Sequence, residues 1–247
     1  MKHLLPLLVF AAGCSSTPQE PGIELRYRIH AKLGPEFVRA LTVRAERAGV
    51  KATITADGDL LRVRLPGAKE GDVTKFAALT QSRGALDIKV VATPEAHKRY
   101  NADNVVPSGY EVLLYPDRQG DEYHIEGWLL VATESVITER DVLTAEVRQD
   151  EAHRAYVVDI SLRPECARRF DEVAMTAFNE VPKGLLAILV DGNAVSVPRV
   201  VAEEFGSTVV LTGNFDKEKA EATAAAFVSG ARLPAAMRLE GREAYPK

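Results

Sequence analysis

Ile23-Glu24-Leu25-Arg26-Tyr27-Arg28-Ile29-His30 alternates apolar and polar side chains without a break. Successive side chains of a strand point to opposite faces, so this run predicts a half-buried strand with Ile23, Leu25, Tyr27 and Ile29 toward a core. Downstream, Gly34-Pro35 opens a helix on which Phe37, Leu41, the long stem of Arg44, Ala45 and Ala48 share a face, and Gly49 suits a left-handed stop. Residues 50–55 and 60–65 read as two strands joined across Asp57-Gly58-Asp59, where the glycine can take positive φ, and Pro66-Gly67 ends the hairpin. Residues 72–82 read as a second helix with Val73, Phe76, Ala77 and Leu79 inward. Gly84 closes that helix, and Leu86, Ile88 and Val90 alternate in a fourth strand.

The order strand, helix, strand, strand, helix, strand is the ferredoxin-like plan, in which two helices cover one face of an antiparallel sheet, and the fold class is α+β. Residues 93–109 lack periodicity and are rich in Pro, Asn, Asp and Lys, which places a boundary there. A second α+β unit comes next. It has a hairpin of 110–115 with 123–133, a strand over 155–162 and a helix that opens at Pro164, the favoured first-turn place for proline. Cys166, Phe170, Val173 and Ala177 form one stripe of that helix, so Cys166 reads as a small core residue and Phe170 and Val173 as buried. Strands at 185–190 and 194–201 then meet across Asp191-Gly192-Asn193. A strand at 208–212 leads to an alanine-rich helix at 217–229, capped by Asp216 and closed by Gly230.

The chain of 247 residues is 46% hydrophobic and 27% charged, which excludes disorder as its default state. Beyond the first residues no apolar run approaches the roughly 18 positions that cross a bilayer. A net charge of −4 and a single Trp128 argue against a nucleic-acid partner. Lys2 and His3 precede the apolar stretch 4–10, and Ala11-Ala12-Gly13-Cys14 comes directly after it, the layout of an export signal over 1–13. Cysteine directly after Ala-Gly resembles a bacterial lipobox, with Ala11 where the familiar form has leucine, and that resemblance implies Cys14 as the lipid attachment point. The polar stretch 15–22 would serve as a tether, giving a lipidated linker over 14–22 and an envelope location with the domain facing the periplasm. The plainer alternative is a secretory signal with Cys14 incidental. A lipidated Cys14 leaves Cys166 without an intrachain disulfide partner.

Residues 184–192, Gly-Leu-Leu-Ala-Ile-Leu-Val-Asp-Gly, continue through Ala194-Val195-Ser196-Val197-Pro198 and resemble the SecD stretch in which a buried strand ends in Asp-Gly and returns through Ser-x-Pro. Thr212-Gly213-Asn214-Phe215 and Ser229-Gly230-Ala231-Arg232-Leu233-Pro234-Ala235 resemble the next stretch of that family, with Arg232 an insertion against its Ser-Gly-Ala-Leu-Pro-Ala form. Upstream, 61–67 resembles the family strand that ends in Leu-Pro-Gly, and 84–88 its next strand. The family motif positions here are Pro66, Gly67, Asp191, Gly192, Pro198, Gly213, Phe215, Gly230 and Pro234, read as structural. The resemblance is to the first periplasmic domain of SecD, and it implies a ferredoxin-like base with an inserted α+β head. The base would cover 22–92, completed by 232–247 with Met237 and Leu239 in a closing edge strand, and the head 93–231. It also implies a stand-alone lipoprotein without the family's transmembrane core, hence without proton-driven transport, whose partners are polypeptide clients or export and envelope proteins.

No constellation points to catalysis, a metal or a cofactor. The histidines His3, His30, His97, His124 and His153 lack ligand spacing; Ser196 lacks the glycines of a nucleophile elbow; Asp191-Gly192 reads as a turn. Glu139, Arg140 and Asp141, with Glu203 and Glu204, read as solvated faces. A binding module for exported or unfolded polypeptide leads, an assembly subunit of an envelope complex is the alternative, and an enzyme is a distant third. Tyr110, Tyr115, Tyr123 and Trp128 gather on one hairpin, where they either meet a client or pack between sheet and helix. Stable anchoring takes more than one acyl chain, so a modified N-terminus holds the protein on membranes, and Cys14→Ser should move it to the soluble fraction. Equal retention of both forms would overturn the lipid reading.

Overall fold

The first strand, β1 (Gly22–Arg28), forms where the alternation places it, and Leu25, Tyr27 and Ile29 are all buried. The computed structural model describes residues 20–29, 33–115, 127–151, 154–201, 206–230, 232–233 and 237–245. The signal segment, Cys14 and Pro234, with His3, His30, Tyr123, His124, His153, Glu203 and Glu204, lie outside the described residues.

After β1 come α1 (Pro35–Arg47), β2 (Thr53–Asp57), β3 (Leu60–Pro66) and α2 (Glu70–Gln81). Phe37, Leu41 and Ala45 of α1 and Val73, Phe76 and Leu79 of α2 pack on the inner residues of β1 and β3. β1 lies antiparallel on β3, and β3 on β2. The expected fourth strand, β4 (Leu86–Val90), exists but does not join this sheet. The flank of β1 is taken instead by the last strand of the chain, β13 (Arg238–Tyr245), giving the order β13-β1-β3-β2. Alternation reports which face of a strand is buried and is silent about its neighbour. β4 has core on both sides, with Leu86 and Ile88 in one cluster and Val91, just beyond it, in another, so it serves as an interior strand elsewhere.

Beyond β4 the chain makes α3 (Pro94–Asp103), β5 (Tyr110–Leu114), β6 (Trp128–Ala132), β7 (Ile137–Thr138), a short 3-10 turn (Glu139–Asp141), β8 (Val142–Asp150) and β9 (Ala155–Leu162). It continues through α4 (Pro164–Asn179), β10 (Leu186–Val190), β11 (Asn193–Ser196), β12 (Thr208–Phe215) and α5 (Lys217–Phe227). The described residues thus form a mixed fold of five α-helices and several antiparallel sheets, ordered β11-β10-β4-β7, β12-β9-β8 and β5-β6 besides the first. The continuous apolar run of β10 is buried on both faces, which is why it needs β4 and β11 on either side. α4 carries its stripe as expected: Cys166, Phe170 and Ala177 are buried and Val173 is half-buried. The Cys166 thiol donates to Asp141 Oδ1 at 3.0 Å, and burial first, then that carboxylate, push its pKa up to about 11, far from a reactive thiolate.

α3 is a helix where the aperiodic stretch predicts only a boundary. Only Pro94 and His97 of it are buried, so it has no apolar stripe to read; its signal is the Thr93 cap, whose hydroxyl accepts from the Ala96 amide. β8 escapes alternation for another reason, a bulge between Val142 and Thr144. α5 is alanine-rich because it is covered on two sides. Ala220, Ala224 and Phe227 enter the core of β8, β9 and β12, while Ala225 enters the core of α1, α2 and β1. Small side chains let both layers approach one helix.

His97, 1% exposed, ties α3 to β6. The Leu130 amide donates to its Nε2 at 3.0 Å; Nε2 is therefore the unprotonated nitrogen, and Nδ1–H donates to the Thr93 carbonyl at 3.0 Å. Burial lowers the His97 pKa from its usual value of 6.5, while the charged residues of α3, Glu95, Lys98, Arg99 and Asp103, are exposed. With the folded pKa below the unfolded one, the unfolded chain takes up the proton first, so this contribution to stability is full above pH 6.5 and is lost as pH falls below it. Urea midpoints should therefore fall between about pH 7.5 and about pH 5.5, and His97→Gln should flatten part of that slope. Identical slopes in the two proteins would refute the assignment.

Candidate functional site

The motif residues of the sequence fall into three places. Pro66 and Gly67 lie at the end of β3, where the Gly67 amide donates to the Pro21 carbonyl and Gly67 has φ +64°. Asp191 and Gly192 close the β10–β11 hairpin with φ of +54° and +83°, the two left-handed positions of a tight turn, as the turn reading expects.

The Asp191 carboxylate does more than turn the chain. Its Oδ2 accepts from Ser82 Oγ at 2.9 Å and the Arg83 amide at 3.0 Å, and its Oδ1 from the Ala85 amide at 2.9 Å. Turn geometry alone gives no sign of this clamp, because its partners lie more than a hundred residues upstream. Beside it the Arg44 guanidinium is fully buried. It donates to the carbonyls of Leu79, Ser82 and Arg83 and to Ser229 Oγ, at 3.3, 2.7, 2.9 and 3.1 Å. Burial lowers its pKa to about 10, with Asp191 acting in the other direction, so it stays charged near neutrality. Gly84, φ +73°, has no room for a Cβ, which would stand 2.3 Å from Arg44 Nη2. Gly230, with φ +68°, turns the chain just past α5.

Pro198, Gly213 and Phe215 converge on the third place, an open groove of about 730 Å³ also lined by Tyr115, Val157, Val195, Val197, Thr212 and Lys219. It lies between β11 and β12, each the edge strand of its own sheet. Both edges are irregular. β11 shifts register at Val195, and β12 leaves β9 between Leu211 and Phe215, spanning four residues while β9 spans two. A bulge of that kind bends a strand and ends its pairing locally, which opens the slot over Val157. Gly213 keeps the slot clear, since a Cβ there would meet the Phe215 ring at 2.9 Å. Across the groove Ser196 Oγ lies 3.4 Å from Thr212 Oγ1, and the formally charged side chains among the described lining are Asp150 and Lys219. Ser196 therefore meets a hydroxyl rather than a base, and no cluster of metal-ligating residues occurs among the described residues.

Residues 113–235 match the family model for the SecDF P1 head subdomain. The protein translocase subunit SecD of Rhodobacter capsulatus is 28% identical over 211 residues, covering 83% of this chain and 34% of that protein. That of Magnetococcus marinus is 25% identical over 185 residues, covering 74% and 34%. This chain is similar to the periplasmic domain of SecD. It spans about a third of the curated relatives it matches. The crystal structure of SecDF in its super-membrane-facing form shares the fold with TM-score 0.65 at 19% identity, over 90% of this chain and 30% of that one. A second structure, of SecDF described as a membrane component that enhances protein export, gives TM-score 0.60 at 20% identity, over 88% of this chain and 98% of that one. Among the described residues of the SecD-like chain, no helix is long and apolar enough to cross a membrane.

One side-chain reading needs correction, and for Trp128 the packing alternative holds. Glu139 is not on a solvated face: it is 2% exposed and paired with Arg232. Trp128 is not a free aromatic for a client, since His97 stacks on it at 5.8 Å and Tyr100 meets it edge-on at 4.5 Å. Of the described hairpin aromatics Tyr110, Tyr115 and Trp128, Tyr115 is the one that lines the groove. Because Asp191 accepts three hydrogen bonds, Asp191→Asn must turn an NH2 toward a donor, and chemical denaturation should show a loss of about 1–3 kcal/mol. An unchanged midpoint would reduce Asp191 to a turn residue.

Proposed function

We propose that this SecD-like domain is a non-catalytic binding module of the cell envelope that holds extended polypeptide, exported or unfolded, in the groove between β11 and β12. The observation that carries the reading is a slot bounded by two bulged edge strands with an apolar floor of Val157, Val195, Val197, Pro198 and Phe215. An edge strand recognises backbone through its outward amides and carbonyls, with little demand on client sequence, and the side-chain floor adds apolar contact. The kinship to SecD supports a periplasmic location and partners in the export machinery. Cys14 serves as the lipid anchor that keeps the domain at a membrane.

The organisation that goes with this function has a base of 22–92 with 232–247 and a head of 93–231. The base is ferredoxin-like with one exchange: β13 occupies the flank of β1 that the fourth strand of a βαββαβ unit would fill, while β4 leaves for the head. The sheet order β13-β1-β3-β2, with α1 and α2 on its inner face, supports this reading.

The test is binding of a reduced, unfolded client to the full chain, monitored by fluorescence anisotropy. Affinity should change less than about threefold between about 0.1 and 1 M salt, because the contacts are backbone and apolar. Val195→Glu, which puts a charge on the groove floor, should weaken binding by roughly tenfold or more. Affinity that collapses with salt would show an electrostatic mode. No binding at all would favour the assembly-subunit reading, with one stoichiometric envelope partner.

A further inference from the structure

The chain leaves the sheet that contains β1 through 82–87, which leads into β4, and comes back to it after α5, where residues 229, 230, 232 and 233 precede β13. We propose that Arg232, the residue inserted against the family's Ser-Gly-Ala-Leu-Pro-Ala form, is a positioning residue that locks these two crossings together and makes base and head one rigid body.

The geometry is that of a fork in a socket. Arg232 Nε lies 2.9 Å from both carboxylate oxygens of Glu139, and its Nη2 donates to Asp87 Oδ1 at 3.0 Å. The Leu86 carbonyl, 3.5 Å from Nη2, adds a longer contact on β4 itself. Asp87 is held for this by Ser135 Oγ, which donates to it at 2.7 Å, and Glu139 by its place directly after β7. A planar guanidinium can engage two carboxylates at fixed angles, which a lysine ammonium cannot do from one position. Next to it, the Leu233 amide donates to the Arg83 carbonyl at 2.8 Å, so the returning segment is bound to the outgoing one by backbone as well. Glu139 is what turns a tie into a lock. Withdrawing Arg232 would leave a carboxylate that is 2% exposed without its cation, and breaking a buried pair from one side costs far more than the pair contributes net. The sheet locked in this way, β11-β10-β4-β7, is the one that supplies the β11 edge of the groove, and Arg232 comes shortly before β13 on β1 in the chain. A load on the groove edge therefore passes through β4 and Arg232 into the base instead of bending the crossings.

Hydrogen exchange of the full chain, read by peptide mass analysis, tests this independently of any ligand. Arg232→Met should raise exchange by roughly tenfold or more in peptides spanning 83–87 and 229–233, while those of β3 and β9 keep their wild-type rates. Arg232→Lys, which keeps the charge but cannot reach Glu139 and Asp87 together, folds more readily and should show the same pattern at smaller amplitude. Arg232→Met with Glu139→Leu removes both partners and should be less destabilised than the two single losses combined. Exchange that stays at wild-type rates across the crossings, or that rises equally in β3, β9 and the crossings, would overturn the proposal. Strict additivity of the two single losses would do the same.

Discussion

The buried guanidinium of Arg44 constrains more of this molecule than any other group. A charge taken out of water must find acceptors for its protons, and here Leu79, Ser82, Arg83 and Ser229 supply them where α2, the outgoing crossing and the end of α5 meet. Three of those acceptors are carbonyls at or just past the end of α2, where carbonyls lack a partner inside the helix, so one side chain satisfies the helix end and itself together. The demand then spreads outward. Gly84 must lack a Cβ, Ser229 must carry a hydroxyl, and the Asp191 carboxylate gathers the amides of Arg83 and Ala85 while its charge supports the guanidinium. Motif residues that look unrelated along the chain are thus parts of one polar knot.

Around that knot the packing is set by α5. A helix in contact with α1 and α2 on one side and with β8, β9 and β12 on the other can keep little bulk on either flank, and its Ala220, Ala224, Ala225 and Ala226 are all buried. The alanines also explain why the helix survives without a strong amphipathic stripe, since alanine carries the best intrinsic helix propensity. Two hydrophobic clusters are joined through a single element, and the knot sits at its C-terminal end.

Legible in the sequence was whatever a single element reports about itself. β1 was readable from alternation, α4 from the stripe of Cys166, Phe170 and Ala177, and the Asp191-Gly192 turn from residues that tolerate positive φ. Whatever depends on a distant partner was not legible. Leu86 and Ile88 alternate as well as any edge strand, yet β4 joins β10, a hundred residues on; the closing strand β13 on β1, mostly charged or exposed, was expected from the resemblance alone and not from its pattern. Glu139 looked like one acid in a charged run because nothing local marks the arginine that buries it. The groove was half legible: Pro198, Gly213 and Phe215 stood out by resemblance, whereas Val157, Val195 and Tyr115 come to it only through tertiary structure.

The sheet edges themselves discriminate between a groove that is a packing accident and one that is kept open. Unpaired strand edges invite association, and proteins blunt them with charge. The base sheet does so at β13, where Arg238, Glu240, Arg242 and Glu243 crowd the strand and the last three pair with Arg28, Glu70 and Arg26. β8 does so with Glu146, Arg148 and Asp150. Along β11 and β12 that protection is missing: Val195, Ser196, Val197, Thr212 and Gly213 are uncharged, and the bulges turn the two edges toward a shared slot. An uncharged pair of edges at a solvent-open groove, in a molecule that charges its edges at β13 and β8, supports the proposal that an extended chain adds on there.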